Sequence, residues 1–153
     1  MKRLLLTTFV FLFSLGRLSA GPVDVKTAQS IGEKFVRANM ETLRNFQTSK
    51  HIGTWTDEKG TASLYIFNID DKGFYIVSAD DRAKPILAFS DEGALDFNNI
   101  PSNMAYYLDR YTTAISYVIE NNLEADAEVA EEWNLVRSKG IVTEKTLNRS
   151  VDP

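Results

Sequence analysis

The side chains that most often break or form bonds are nearly missing from this sequence: it has no cysteine, and His51 is its one histidine. A hydrolase triad would need His51 beside a serine and an acid, but no GxSxG elbow or comparable context is present. The usual zinc sets draw on several histidine or cysteine ligands, which this composition does not supply. Acid pairs at Asp70-Asp71, Asp80-Asp81 and Asp91-Glu92 invite calcium. None has the alternating spacing of a calcium loop, and turn chemistry explains each of them. Two carboxylates for glycoside hydrolysis can be chosen in almost any acidic chain, and here no pair stands out. Phosphate-cradling glycine loops are also missing. The composition points away from an enzyme, and no metal or cofactor is expected.

One segment suits contact rather than catalysis. Asn98, Asn99, Ile100, Pro101, Ser102, Asn103 and Met104 form a proline-stiffened stretch tipped with amides. Rigid presentation lowers the entropy lost on binding, so such a segment is a good probe for another protein's cleft. A plain strand-to-helix connection is the simpler account of the same residues. Tyr106, Tyr107 and Tyr111 follow at helical spacing, which fits core or partner packing.

The elements that must hold this stretch are legible on both sides of it. Asp24 can cap a helix whose apolar positions Val25, Ala28, Ile31, Phe35, Val36 and Leu43 share one face, with Gly32 as an interruption. Phe46 to Lys59 has weak periodicity, and its structure is left open, with Ile52 and Trp55 as core anchors. Leu64–Ile69 and Phe74–Ala79 are rich in aromatic and β-branched residues. The four residues between them suit a hairpin ending on Gly73 at positive φ. Pro85 opens a third strand, Ile86 to Ser90, and Ala94 to Phe97 is a short fourth run. Ser102 is placed to cap a long helix with the stripe Met104, Tyr107, Leu108, Tyr111, Ile115, Val118 and Ile119, ended by Asn121-Asn122. A further helix over roughly Glu124 to Arg137 has acid at its start and Arg137 at its end, as the helix dipole favours, and Gly140 stops it. The expected class is α+β: an antiparallel β-meander of three to four strands, with two to three helices on one face.

Residues 1–20 have the order of a secretory signal peptide, with Lys2 and Arg3, an apolar run from Leu4 to Leu15, and Leu18-Ser19-Ala20 as the exit. The apolar run is short for a membrane span, and a lipoprotein anchor would need a cysteine. The expectation is a secreted or periplasmic protein with no membrane attachment after signal removal. That segment holds Lys2, Arg3, Arg17 and no acid, so 17 basic residues become 14 against 21 acidic, and the net charge moves from −4 to about −7. Nucleic acid calls for a basic face and is not an expected partner. Residues 21–138 read as one domain, and 139–153 as a polar tail or processing linker in which Lys139, Lys145 and Arg149 are possible cleavage points.

The order of residues adds a resemblance. LYIFNIDDKGFYIVSADDRAKPILAFSDEGALD followed by PSNMAYYLDRY resembles the prodomain of the streptopain, or interpain-like, family of bacterial cysteine proteases. The shared parts fall in order at Tyr65 to Asn68, Gly73, Phe74 to Ser78, Asp81-Arg82, Pro85 to Ser90, and Asn103 onward, and the likeness covers roughly Val23 to Asn122. It implies noncovalent inhibition of a streptopain-like cysteine protease, in cis as a propeptide or in trans as a separate inhibitor. By the same resemblance, Asn103 stands where the family places the asparagine that enters the active site and displaces the catalytic histidine. Asn98, Asn99, Ile100, Pro101, Ser102 and Met104 would support it. A secreted binding module with a non-protease partner is the alternative.

Overall fold

In the computed structural model, which describes residues 20–143, Asp24 caps α1, Val25–Asn39, by accepting hydrogen bonds from the Lys26 and Thr27 amides at 2.9 and 3.0 Å. Leu43, expected on that helix, lies in a separate 3-10 turn, Glu41–Leu43, and is still buried. The segment left open forms β1, Lys50–Thr56. It is followed by β2, Ala62–Ile69, β3, Gly73–Ser78, and β4, Ile86–Ser90, then by α2, Ser102–Glu120, and α3, Ala127–Lys139. The strands pair antiparallel in the order β1-β2-β3-β4, which is the expected meander with β1 in place of the run at Ala94 to Phe97. That run is not a strand: Leu95 is tied to a side chain instead, and Phe97–Asn99 form a 3-10 turn.

The helices lie on both faces of the sheet, not one. Phe67, Ile69, Tyr75, Val77 and Ile86 face α1 and α3, in a cluster with Phe35, Val36, Trp133 and Val136. Leu64, Ile66, Phe74 and Ile76 face the other way and meet Leu108 of α2. Two-sided burial requires apolar residues at successive positions, and every residue of β3 is buried.

Three turn and cap assignments also change. Gly73 is the first residue of β3, and the positive φ of the hairpin, 49°, belongs to Asp70. Gly73 is required by crowding, since a Cβ there would lie 2.5 Å from the Ser90 carbonyl oxygen. Pro101, not Ser102, is the N-cap of α2, with no side-chain hydrogen bond. Asp126 caps α3 through the Val129 amide at 2.8 Å, so that helix starts later than Glu124, and it ends at Gly140 with φ 73° as expected.

Gly32 sits in the middle of α1 because the Tyr75 ring lies against it: an added Cβ would fall 1.9 Å from Tyr75 Cε2. Tyr75 is itself buried, hydrogen-bonded to Ser49, and its phenol is pushed up by desolvation. Gly32→Ala should therefore lower stability by about 2 kcal/mol, although alanine is the better helix former, because overpacking outweighs propensity. Urea unfolding checks this, and a neutral or stabilising result would contradict it.

Two aspartates accept backbone amides and should be felt at low pH: Asp24 at the start of α1, and Asp57, which holds the β1–β2 turn through the Lys59 and Thr61 amides. The Asp24 carboxyl is held below the usual range first by the Thr27 hydroxyl and then by the Thr27 amide, and Asp57 is held down mainly by the Thr61 amide. A carboxyl depressed in the folded state contributes stability above its unfolded pKa and loses it as pH falls through its folded one. The urea midpoint should thus fall below about pH 4, and by less in the double variant Asp24→Asn/Asp57→Asn, since asparagine still accepts these amides without titrating. Parallel acid profiles of the two proteins would refute the assignment.

Candidate functional site

The stretch from Ser90 to Met104 crosses the α2 face of the sheet, held at four points. Gly93, with φ 74°, turns the chain away from β4. Leu95 is then fixed by one side chain reading both of its peptide groups: Asn68 Oδ1 accepts from the Leu95 amide at 3.0 Å, and Asn68 Nδ2 donates to the Leu95 carbonyl at 2.8 Å. Asp96 caps the 3-10 turn through the Asn98 amide at 3.0 Å. Phe97 lies over Gly53 of β1, where a Cβ would come within 2.1 Å of its ring, and meets Trp55 edge-on at 6.1 Å. Trp55 completes the frame by donating its indole N–H to Asp109 Oδ1 of α2 at 3.0 Å.

On this frame Ile100 and Met104 pack against the cluster of Leu64, Ile66, Phe74, Ile76 and Leu108. Asn98, Asn99, Pro101, Ser102 and Asn103 are exposed. Among the described residues, no hydrogen bond occupies the side-chain amide of Asn103. Pro101 fixes the entry to α2 with ψ 140°, and its carbonyl accepts the Ala105 amide at 2.9 Å, so Asn103 stands in the first turn of a helix. The result is an apolar underside and a polar tip on which the Asn103 side chain has no partner among the described residues.

The match to known proteins covers this frame. The Spi protease inhibitor family is matched over residues 20–115, from before α1 to the middle of α2. The chain belongs to that family. It is also 28% identical over 127 residues to the thiol protease/hemagglutinin PrtT of Porphyromonas gingivalis, a match covering 81% of this chain and 15% of that protein. Streptopain of Streptococcus pyogenes is 32% identical over 88 residues, covering 55% of this chain and 22% of that protein. The chain thus spans less than a quarter of the length of these relatives. No solved structure is a significant match. The resemblance to the streptopain family and the α+β meander expected from the sequence both stand, as does the assignment to inhibitors rather than enzymes.

Other sequence candidates lie apart from the loop. His51 is exposed on β1, with its ring near Tyr65 and Phe67 and its Nε2 3.2 Å from the Thr54 hydroxyl. Among the described residues no cluster of histidine and carboxylate side chains is arranged for a metal, and no helix is long and apolar enough to cross a membrane. Lys139 is the exposed last residue of α3, on the sheet face away from Asn103. Lys145, Arg149 and residues 1–19, where a signal peptide was expected, lie outside the described residues. Of the polar tail expected over 139–153, the described residues reach Thr143: Val142 is buried in the α1–α3 cluster, and the Thr143 hydroxyl donates to Glu132 at 2.9 Å.

Sequence reasoning overlooked Asn68, Gly53 and Asp109 as the supports of the loop. Asn68 had a visible signal, as the one polar residue in the apolar run LYIFNI. The Trp55–Asp109 bond joins residues 54 apart and leaves no local pattern.

Proposed function

We propose that this chain is a noncovalent inhibitor of a streptopain-like cysteine protease, acting as a propeptide in cis or as a separate inhibitor in trans. The loop Asn98–Met104 enters the protease's active site, and Asn103 displaces the catalytic histidine. The observation that carries this reading is the exposed Asn103 amide, without a partner among the described residues, on a stretch whose underside is fixed by Asn68, Gly53 and Trp55. A tip already rigid in the free protein loses little entropy on entering a cleft. The amide offers donors and an acceptor together, so it can meet both imidazole and backbone groups. The family and the relatives' names support a thiol protease as the partner. Export through the segment at residues 1–20 would bring the chain to the compartment of a secreted protease, and Lys139, Lys145 and Arg149 mark where processing would part the two.

The test is titration of the purified chain against mature streptopain and mature PrtT, following cleavage of a fluorogenic peptide. Reversible loss of activity, with the chain recovered intact, is the expected result. Full activity of both proteases in the presence of the folded chain would overturn the proposal in favour of a binding module with another partner.

A further inference from the structure

A loop of seven residues is too small to hold a protease by itself. Stable, specific interfaces bury about 800 Å² on each partner and engage roughly 20–30 residues a side. The remaining contact must come from surface continuous with the loop, and two surfaces adjoin it.

One is the hollow beside β1 and the β2–β3 turn, lined by Asp70, Asp71, Asp96 and His51. It is rich in carboxylates, which are depleted at interface centres. The other is the outward face of α2. Successive helix residues advance by about 100°, so Asn103, Tyr106, Tyr107, Arg110, Ala114 and Tyr117 fall within one arc of roughly 100° opposite Leu108 and Ile115. Tyr107, expected in the core stripe, proves to be at its rim. Tyr106, Tyr107 and Tyr117 are 57, 54 and 61% exposed, and among the described residues they are, with Leu123 and Ile141, the large apolar side chains left open to solvent. The first two meet edge-on at 5.7 Å, and Arg110 donates to the Tyr106 hydroxyl at 3.3 Å, so part of the stripe is already in place before any partner arrives.

We infer that the outward face of α2 from Tyr106 to Tyr117 is the second half of the docking surface, seated on the protease beside the cleft that receives Asn103. The inference rests on the inhibitory reading of the loop. The stripe runs about 21 Å from Asn103 to Tyr117 at the α-helical rise. Tyrosine and arginine are the residues that most often carry binding energy at interface centres. The facing protease surface is accordingly apolar, with acceptors for the tyrosine hydroxyls and a carboxylate for Arg110.

The test measures inhibition constants against mature streptopain and PrtT for the whole chain, the single variant Tyr117→Ala and the double variant Tyr107→Ala/Tyr117→Ala. A rise of about 10-fold is expected for the single variant and about 100-fold for the double. Tyr117 lies too far from Asn103 to act through the loop. Tyrosine nitration of the unmutated chain gives a second readout: Tyr106, Tyr107 and Tyr117 should react in the free protein and be protected in the complex. A wild-type chain that inhibits neither protease overturns the loop and the stripe together. Normal inhibition by the double variant, with those tyrosines still nitrated in the complex, overturns the stripe alone.

Discussion

Asn103→Ala is expected to weaken inhibition of a streptopain-like protease about 100-fold while leaving the unfolding midpoint unchanged. The two effects separate because the side chain has no partner among the described residues, so its removal from an exposed first helical turn costs the free domain almost nothing. In the complex the same amide is desolvated against polar groups of the cleft, and truncation leaves those groups buried without partners. A second variant, Asn103→Asp, keeps the shape and removes the N–H donors. It should be nearly as poor an inhibitor if donation matters. Inhibition constants and urea midpoints measured together decide the matter. Wild-type inhibition by a folded Asn103→Ala would remove this residue from the mechanism, whatever the rest of the loop does.

Trp133→Ala should be the most damaging single change to stability, at about 4 kcal/mol, or most of the margin of a small domain. Trp133 is 2% exposed, sits in the cluster with Phe35 and Val36, and donates its indole N–H to the Ala83 carbonyl at 2.7 Å. Its loss combines a cavity with an orphaned carbonyl in the β3–β4 connection. Trp133→Phe, which refills most of the space but not the hydrogen bond, should cost clearly less. The outcome bears on the limits of the domain, since α3 lies beyond the span matched to the inhibitor family. If Trp133→Ala lowers stability by less than about 1 kcal/mol, α3 is an accessory to a core complete without it.

Much of the fold was legible because its signals are local. The helix stripes, the Asp24 cap and the Gly140 stop each depend on neighbours within one or two turns. FYIVS and LYIFNI both carried the sign of burial on two sides, a nearly continuous apolar run, yet helices on a single face were expected. β1 was obscured by bulges between His51 and Gly53 and between Trp55 and Thr56, which break the two-residue period. Leu95 and Phe97 alternate like strand residues, but the partner of Leu95 is the Asn68 side chain, a choice made by tertiary position. The loop itself was found through Pro101 and its amides. Its foundations at Gly53, Asn68 and Asp109 are distant in sequence and became visible only in three dimensions.

The placement of helices on opposite faces of the sheet bears on how a covalently joined protease would be reached. Asn103 belongs to the α2 side, whereas Val142 and Thr143 are fastened on the α1–α3 side. A protease following Thr143 in the same chain must pass around the sheet before its cleft meets the loop. The effective concentration that any connecting segment confers depends on its length and stiffness. The local concentration of the enzyme at Asn103 would then be governed by tether length as much as by contact chemistry. Shortening the tether would release the protease without touching a single residue of the loop, and cutting it would turn a self-restrained enzyme into a bimolecular equilibrium sensitive to dilution.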